Sequence, residues 1–170
     1  LNEKENILPP VISIVGKSES GKTTLIERLI PELKRRGYRI GIVKHAHHGF
    51  DMDRKGKDSY RHRQAGADTV MIASPGQIAM IKDVPSERLD DLIPFFNDMD
   101  LLITEGFKSD RAQKIEIFRA ERHRHPACRE DDTLMAMVSD TPLDVTVPQF
   151  STADIQAITE FIVARCLPNP

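Results

Sequence analysis

The chain has 170 residues, with 24 Lys and Arg against 26 Asp and Glu for a formal net charge of −2. That length predicts one domain with a substantial core, and the near-neutral balance excludes a global basic field for nucleic acid or an anionic membrane. No apolar run approaches the roughly 18 residues of a membrane span.

The polar opening Leu1-Asn2-Glu3-Lys4-Glu5-Asn6 lacks the apolar core of a signal peptide and reads as a flexible leader over residues 1–9, ahead of a single domain over residues 10–170. The two cysteines, Cys128 and Cys166, are far apart and without metal-ligand spacing, so free thiols and a cytoplasmic location are expected.

Val11 to Val15 is a short, β-branched, apolar run, as a parallel strand buried on both faces requires. Gly16-Lys17-Ser18-Glu19-Ser20-Gly21-Lys22-Thr23 follows, with the spacing G-x-x-x-x-G-K-[ST] of a phosphate-binding loop. Leu25, Ile26, Leu29, Ile30 and Leu33 then recur at helical spacing, predicting a helix from Gly21 to Arg36 that ends at Gly37, with Pro31 inside it as a point where it can bend or break. Tyr38 to Lys44 reads as a second strand. A polar, glycine-interrupted loop from His45 to Ser59 follows it, at a strand's carboxyl end where open α/β sheets bind ligands.

A short helix over Asp58 to Ala65, capped by Asp58 or Ser59, leads to a hairpin of Asp68 to Ala73 with Ile78 to Ile81 across the turn Ser74-Pro75-Gly76-Gln77. Ser86 to Phe96 reads as helical up to a kink or end near Pro94, and Asp100 to Thr104 as a buried strand before Glu105-Gly106-Phe107-Lys108. Lys114 to Arg119 alternates like a strand with one exposed face, and Glu121 to Asp132 reads as a charged surface excursion. Leu134 to Val138 is a buried strand, a shorter one is expected near Val145 to Val147, and Ser151 with Asp154 suggests a capping box for a last helix to about Cys166. The alternation of strand and helix predicts an α/β fold in three layers, the P-loop nucleoside-triphosphatase fold. Its sheet would be mostly parallel with an antiparallel excursion, and helices would cover both faces.

The candidate site follows from these placements. Glycines at 16 and 21 let backbone N–H groups turn toward a phosphate, and the helix N-terminus adds its unpaired donors. Lys22 supplies charge for the β- and γ-phosphates, and the Thr23 hydroxyl can ligate Mg²⁺. Glu105, a carboxylate ending an apolar strand, is expected to order the metal's shell, with Asp53, ahead of Asp51, as the second acid. His45, His47 and His48 form His-x-His-His, read as a contact for an anionic ligand, with zinc or nickel as the alternative. Base choice is weakly written: Phe107-Lys108-Ser109-Asp110 matches a guanine motif imperfectly, and Asp140 is the other candidate acceptor for guanine.

Taken together, the phosphate loop through Thr24, Val-Lys-His-Ala-His-His with Phe-Asp-Met-Asp and Gly-Lys-Asp-Ser-Tyr-Arg at 43–61, Gln-Ala-Gly-Ala at 64–67 and Ile-Thr-Glu-Gly-Phe-Lys at 103–108 resemble MobB, the molybdopterin-guanine dinucleotide biosynthesis adaptor proteins. The resemblance implies a GTP-binding, usually dimeric protein of weak GTPase activity, assisting the nucleotidyltransferase MobA as it attaches GMP to molybdopterin. It implies GTP and Mg²⁺ as ligands, with Gly16, Gly21, Lys22, Thr23 and Thr24 on phosphate and metal, and Glu105 and Asp53 completing the metal side. Lys55 before Gly56, where the family often has proline, is a departure. Lys17 occupies the place of the signature lysine of dimeric MinD-like loops, but Ser18 and Glu19 replace the glycines expected there. Two rival functions are a small P-loop kinase, for which Arg119 to Arg129 would be the lid, and a GTPase metallochaperone using the histidines.

Overall fold

The computed structural model describes residues 8–46 and 49–167, and these form two compact units. Ala46–Asp91 makes one unit, and the chain on either side of it makes the other.

The larger unit is built on six parallel strands in the order β2-β5-β1-β6-β7-β8. These are β1 (Val11–Val15), β2 (Ile40–Lys44), β5 (Leu101–Glu105), β6 (Gln113–Ile117), β7 (Leu134–Val138) and β8 (Gln149–Phe150). Alternation along each strand divides the core. Ile12 and Ile14 of β1, Leu101 and Ile103 of β5, Ile115 and Ile117 of β6 and Ala136 and Val138 of β7 pack with Leu25, Ile26, Leu29 and Leu33 of α1 (Lys22–Arg35). Ile158 and Ile162 of α4 (Ile155–Cys166) complete this layer. Val15 and Met137 point the other way, into a second cluster with Phe118, Cys128 and Leu134. The α1 helix runs through Pro31 without a break, and Gly37 after it adopts φ +92°.

Three expectations are corrected in this unit. The β6 strand is central and buried on both faces, not half exposed, because Lys114 and Glu116 are each satisfied internally. Lys114 Nζ donates to Asp110 O (2.6 Å) and Thr133 Oγ1 (2.5 Å) and pairs with Asp131 (3.1 Å). The Glu116 carboxylate accepts from the backbone N–H groups of Ala127 (2.5 Å) and Cys128 (2.8 Å). The last strand is Gln149–Phe150 rather than 145–147, whose valines instead cover the second cluster. The final helix is capped by Asp154, which accepts from Ala157 N–H, while Ser151 is drawn to Asp140.

The smaller unit holds α2 (Asp58–Gln64) and a hairpin of β3 (Thr69–Ser74) and β4 (Gln77–Lys82), antiparallel in continuous register. Lys57, without a side-chain bond, takes the cap position expected of Asp58 or Ser59. Within the expected helix over 86–96, only α3 (Leu89–Leu92) is α-helical, and Ile93–Phe96 is a 3₁₀ turn. None of the described helices is long and apolar enough to cross a membrane. Cys128 and Cys166 are free thiols.

Candidate functional site

The loop between β1 and α1 is held by backbone geometry that only certain residues accept. Gly16 lies at φ +145°, and a Cβ there would fall 2.5 Å from the Ile117 carbonyl oxygen and 2.6 Å from Ser20 Oγ. No larger residue fits. Gly21 at φ +99° precedes the helix, and Glu19 takes the left-handed region at φ +59°. Neither a side-chain cap nor an acidic residue occupies the first turn of α1, so the helix N-terminus keeps its donors and its positive dipole end for an anion. Ser20 is buried, and its Oγ has no hydrogen-bond partner among the described residues.

Lys22 is folded back on the loop, its Nζ donating to Lys17 O (2.8 Å) and Gly16 O (3.2 Å). Burial pulls its ammonium below the usual lysine range, Glu105 opposes that shift, and Lys108 and Lys44 add to it. A desolvated lysine between cations gains most when an anion arrives.

Parallel pairing of β1 with β5 brings the end of β5 beside the loop. There Thr23 Oγ1 donates to Glu105 Oε1 at 2.9 Å, and Lys44 Nζ stands 3.4 Å from the same oxygen. Lys44 is opposite Glu105 in the β2–β5 register. A threonine hydroxyl and a carboxylate are hard oxygen donors and fit Mg²⁺. Gly106, at φ +106°, lets the backbone turn where a Cβ would come 3.1 Å from His45 Cβ. His45 stacks on Phe107 with ring centroids 4.7 Å apart, and its backbone N–H donates to the Glu105 carbonyl oxygen.

The loop and the end of β5 thus enclose a pocket of about 420 Å³, lined by Ser18, Glu19, Lys22, Thr23, Glu105 and Arg119 among others. Thr24 also lines it, whereas Lys17 contributes its carbonyl to the loop. Asp140 lies after β7, where its carboxylate accepts from Ser151 Oγ, Thr152 N–H and Thr152 Oγ1 at 2.6–2.9 Å, bonds that hold it below the usual carboxylate range. Asp53 belongs to the smaller unit. Its Oδ1 accepts from Ser59 Oγ and Arg54 N–H, and its Oδ2 is buried without a hydrogen-bond partner among the described residues. His47 and His48 lie outside the described residues, and among the described residues no three His, Cys, Asp or Glu side chains stand together as a metal cluster.

The sequence reading gave two site residues no role of their own. Lys44 enters it only within the family motif Val-Lys-His-Ala-His-His, and it ends the strand next to β5. Arg119 enters it only as the end of a strand and the start of a kinase lid, and it follows β6, which pairs with β1. The excursion it opens touches the loop again, with Arg122 3.4 Å from Glu19 and His123 Nε2 2.8 Å from Ser18 O.

Comparison with known proteins agrees with this architecture. The family described as "MobB: Molybdopterin guanine dinucleotide synthesis protein B" matches residues 11–140. The chain is 38% identical over 160 residues to the molybdopterin-guanine dinucleotide biosynthesis adapter protein of Escherichia coli (strain K12), covering 91% of each chain. It is 36% identical over 156 residues to the protein of the same name from Haemophilus influenzae, covering 90% of this chain and 87% of that one. Among solved structures, the MobB protein homolog from Bacillus stearothermophilus superimposes with a TM-score of 0.68 at 27% identity, over 92% of this chain and 97% of the other.

Proposed function

The chain belongs to the MobB family, and from that premise we propose that it is a GTP-binding adaptor in molybdopterin guanine dinucleotide biosynthesis, assisting a MobA nucleotidyltransferase as GMP is attached to molybdopterin. The observation that carries the reading is the 2.9 Å bond from Thr23 to Glu105 beside an uncapped helix N-terminus. It joins the hydroxyl and the carboxylate that a phosphate site needs on its metal side. In this reading the loop's N–H groups and Lys22 hold the polyphosphate, and Thr23 and Glu105 hold the Mg²⁺ that neutralises it. Asp53 is proposed for the same metal side on sequence grounds.

Turnover in this reading is weak, as the family resemblance implies, with Glu105, held by Thr23 and Lys44, serving the Mg²⁺ side and whatever hydrolysis occurs. The His45 loop would face the anionic pterin ligand. A homodimer is proposed from the β3–β4 hairpin, which exposes Met71, Ile72, Ile78 and Met80. A two-stranded hairpin is marginal alone and presents open edges, which a second copy would cover.

The test is a reconstituted assay with MobA and molybdopterin, run with and without this chain, in which α-labelled GTP reports dinucleotide formation and γ-labelled GTP reports release or transfer of the terminal phosphate. The adaptor reading expects more dinucleotide formed when the chain is added, with only slow release of labelled inorganic phosphate. No effect on dinucleotide formation would refute it. Arg122 and His123 against the loop favour the small-kinase reading as the rival, and label transferred to an organic acceptor would establish that one instead.

A further inference from the structure

We propose that Arg119 is a nucleotide-binding residue that holds the nucleoside end of the ligand, its guanidinium plane lying against the base while the polyphosphate occupies the loop. The inference rests on the phosphate-loop reading above and adds a direction to it. The strand order supplies that direction. β1 stands between β5 and β6, so residues leaving β5 and β6 flank the loop on opposite sides. Glu105, Thr23 and Lys44 gather on the β5 side, the metal and terminal-phosphate side. Arg119 leaves β6 on the opposite side. Its Nη2 and Nε lie 3.4 and 3.5 Å from where a Gly21 Cβ would be, so the guanidinium lies against the start of α1.

Beyond it, a hollow of about 50 Å³ opens between Arg28, Ile117 and Thr152, and Arg119 lines both this hollow and the phosphate pocket. A ligand running from one into the other passes over its guanidinium. Three arginines surround this end of the loop among the described residues, and their commitments differ. Arg28 donates to Thr152 O at 2.6 Å and Ala153 O at 3.2 Å. Arg122 meets Glu19. Arg119 reaches Glu121 only at 3.9 Å, at the outer limit of an ion pair, it adds to the attraction that holds the Asp140 carboxyl low without a direct bond to it, and its side chain is 42% exposed. Its backbone is fixed, since its carbonyl accepts from Arg122 N–H and His123 N–H. A planar cation on a fixed backbone with a face open to the site is suited to stacking on a nucleobase, which lysine cannot reproduce.

The experiment measures dissociation constants of GTP, GDP and inorganic tripolyphosphate for the parent, Arg119→Ala and Arg119→Lys. Unfolding midpoints establish that both variants fold. Both variants are expected to bind GTP and GDP about tenfold more weakly, the scale of one stacked base, and tripolyphosphate within about twofold of the parent. Equal loss on tripolyphosphate, loss on GTP alone, or full rescue by lysine would overturn the assignment, because each points to a phosphate contact. A parent that binds GTP tightly and an Arg119→Ala variant that matches it would overturn this inference alone. A parent that binds none of the three ligands would overturn the phosphate-loop reading with it.

Discussion

Replacing Lys114 by methionine removes a buried charge while keeping an unbranched stem of similar volume, so no cavity complicates the result. The side chain is 2% exposed, and its Nζ holds Asp110 O, Thr133 Oγ1 and Asp131 together at the root of the 121–132 excursion. Removing one partner of a fully buried pair costs about 3–5 kcal/mol. Asp131, however, is 24% exposed and keeps its bonds from Thr133 N–H and Oγ1. Water and those donors replace part of what the ammonium supplied, which lowers the expected cost to about 2–3 kcal/mol. With a urea slope of about 2 kcal/mol/M, the unfolding midpoint should fall by about 1 M at unchanged slope. Buried ion pairs are sometimes no better than the apolar residues that replace them. A Lys114→Met midpoint equal to or above the parent's would place Lys114 in that class and refute the argument that it anchors the excursion.

Glu105→Gln should leave the fold intact, since an amide oxygen still accepts from Thr23. Titration should show nucleotide binding that no longer tightens when Mg²⁺ is added, and unchanged magnesium dependence would make Glu105 structural. Acid should destabilise the protein through Asp100, held low by Arg39, Asp131, held low first by Thr133, and Asp140, held low first by Thr152. Folded values below the unfolded ones mean that these groups stabilise above about pH 4 and lose that contribution as pH falls further. Urea midpoints should therefore fall below pH 4, more steeply in the parent than in Asp100→Asn. Burial pushes both thiols up to about 11. Alkylation at pH 8 should therefore run at least about tenfold slower in native than in urea-unfolded protein, and equal rates would contradict the burial of Cys128 and the partial burial of Cys166.

What could be read from sequence was local. The phosphate loop, β1, α1 and the carboxylate ending β5 are each specified by residues within a few positions of one another, and the structure places them as expected. β6 misled for a physical reason: Lys-Ile-Glu-Ile has the period of a half-exposed strand. The partners that make its charges tolerable inside, Asp131, Thr133 and the N–H groups of Ala127 and Cys128, lie 11–19 residues along the chain. Helix capping failed similarly, because Ser151 is spent on Asp140 and the cap passes to Asp154. Arg119, read as the end of a strand and the start of a kinase lid, could not be placed on one side of the loop from sequence, since that depends on which strands flank β1.

Titrating GTP and Mg²⁺ into the parent and Lys22→Ala tests the central claim most directly. Lys22 points at loop carbonyls and not into the core, so the variant should unfold like the parent. Losing a charge-assisted phosphate contact should weaken GTP binding by about 2–3 kcal/mol, or about 30- to 150-fold. A folded Lys22→Ala protein that binds GTP as tightly as the parent would contradict the assignment of this loop as the nucleotide site.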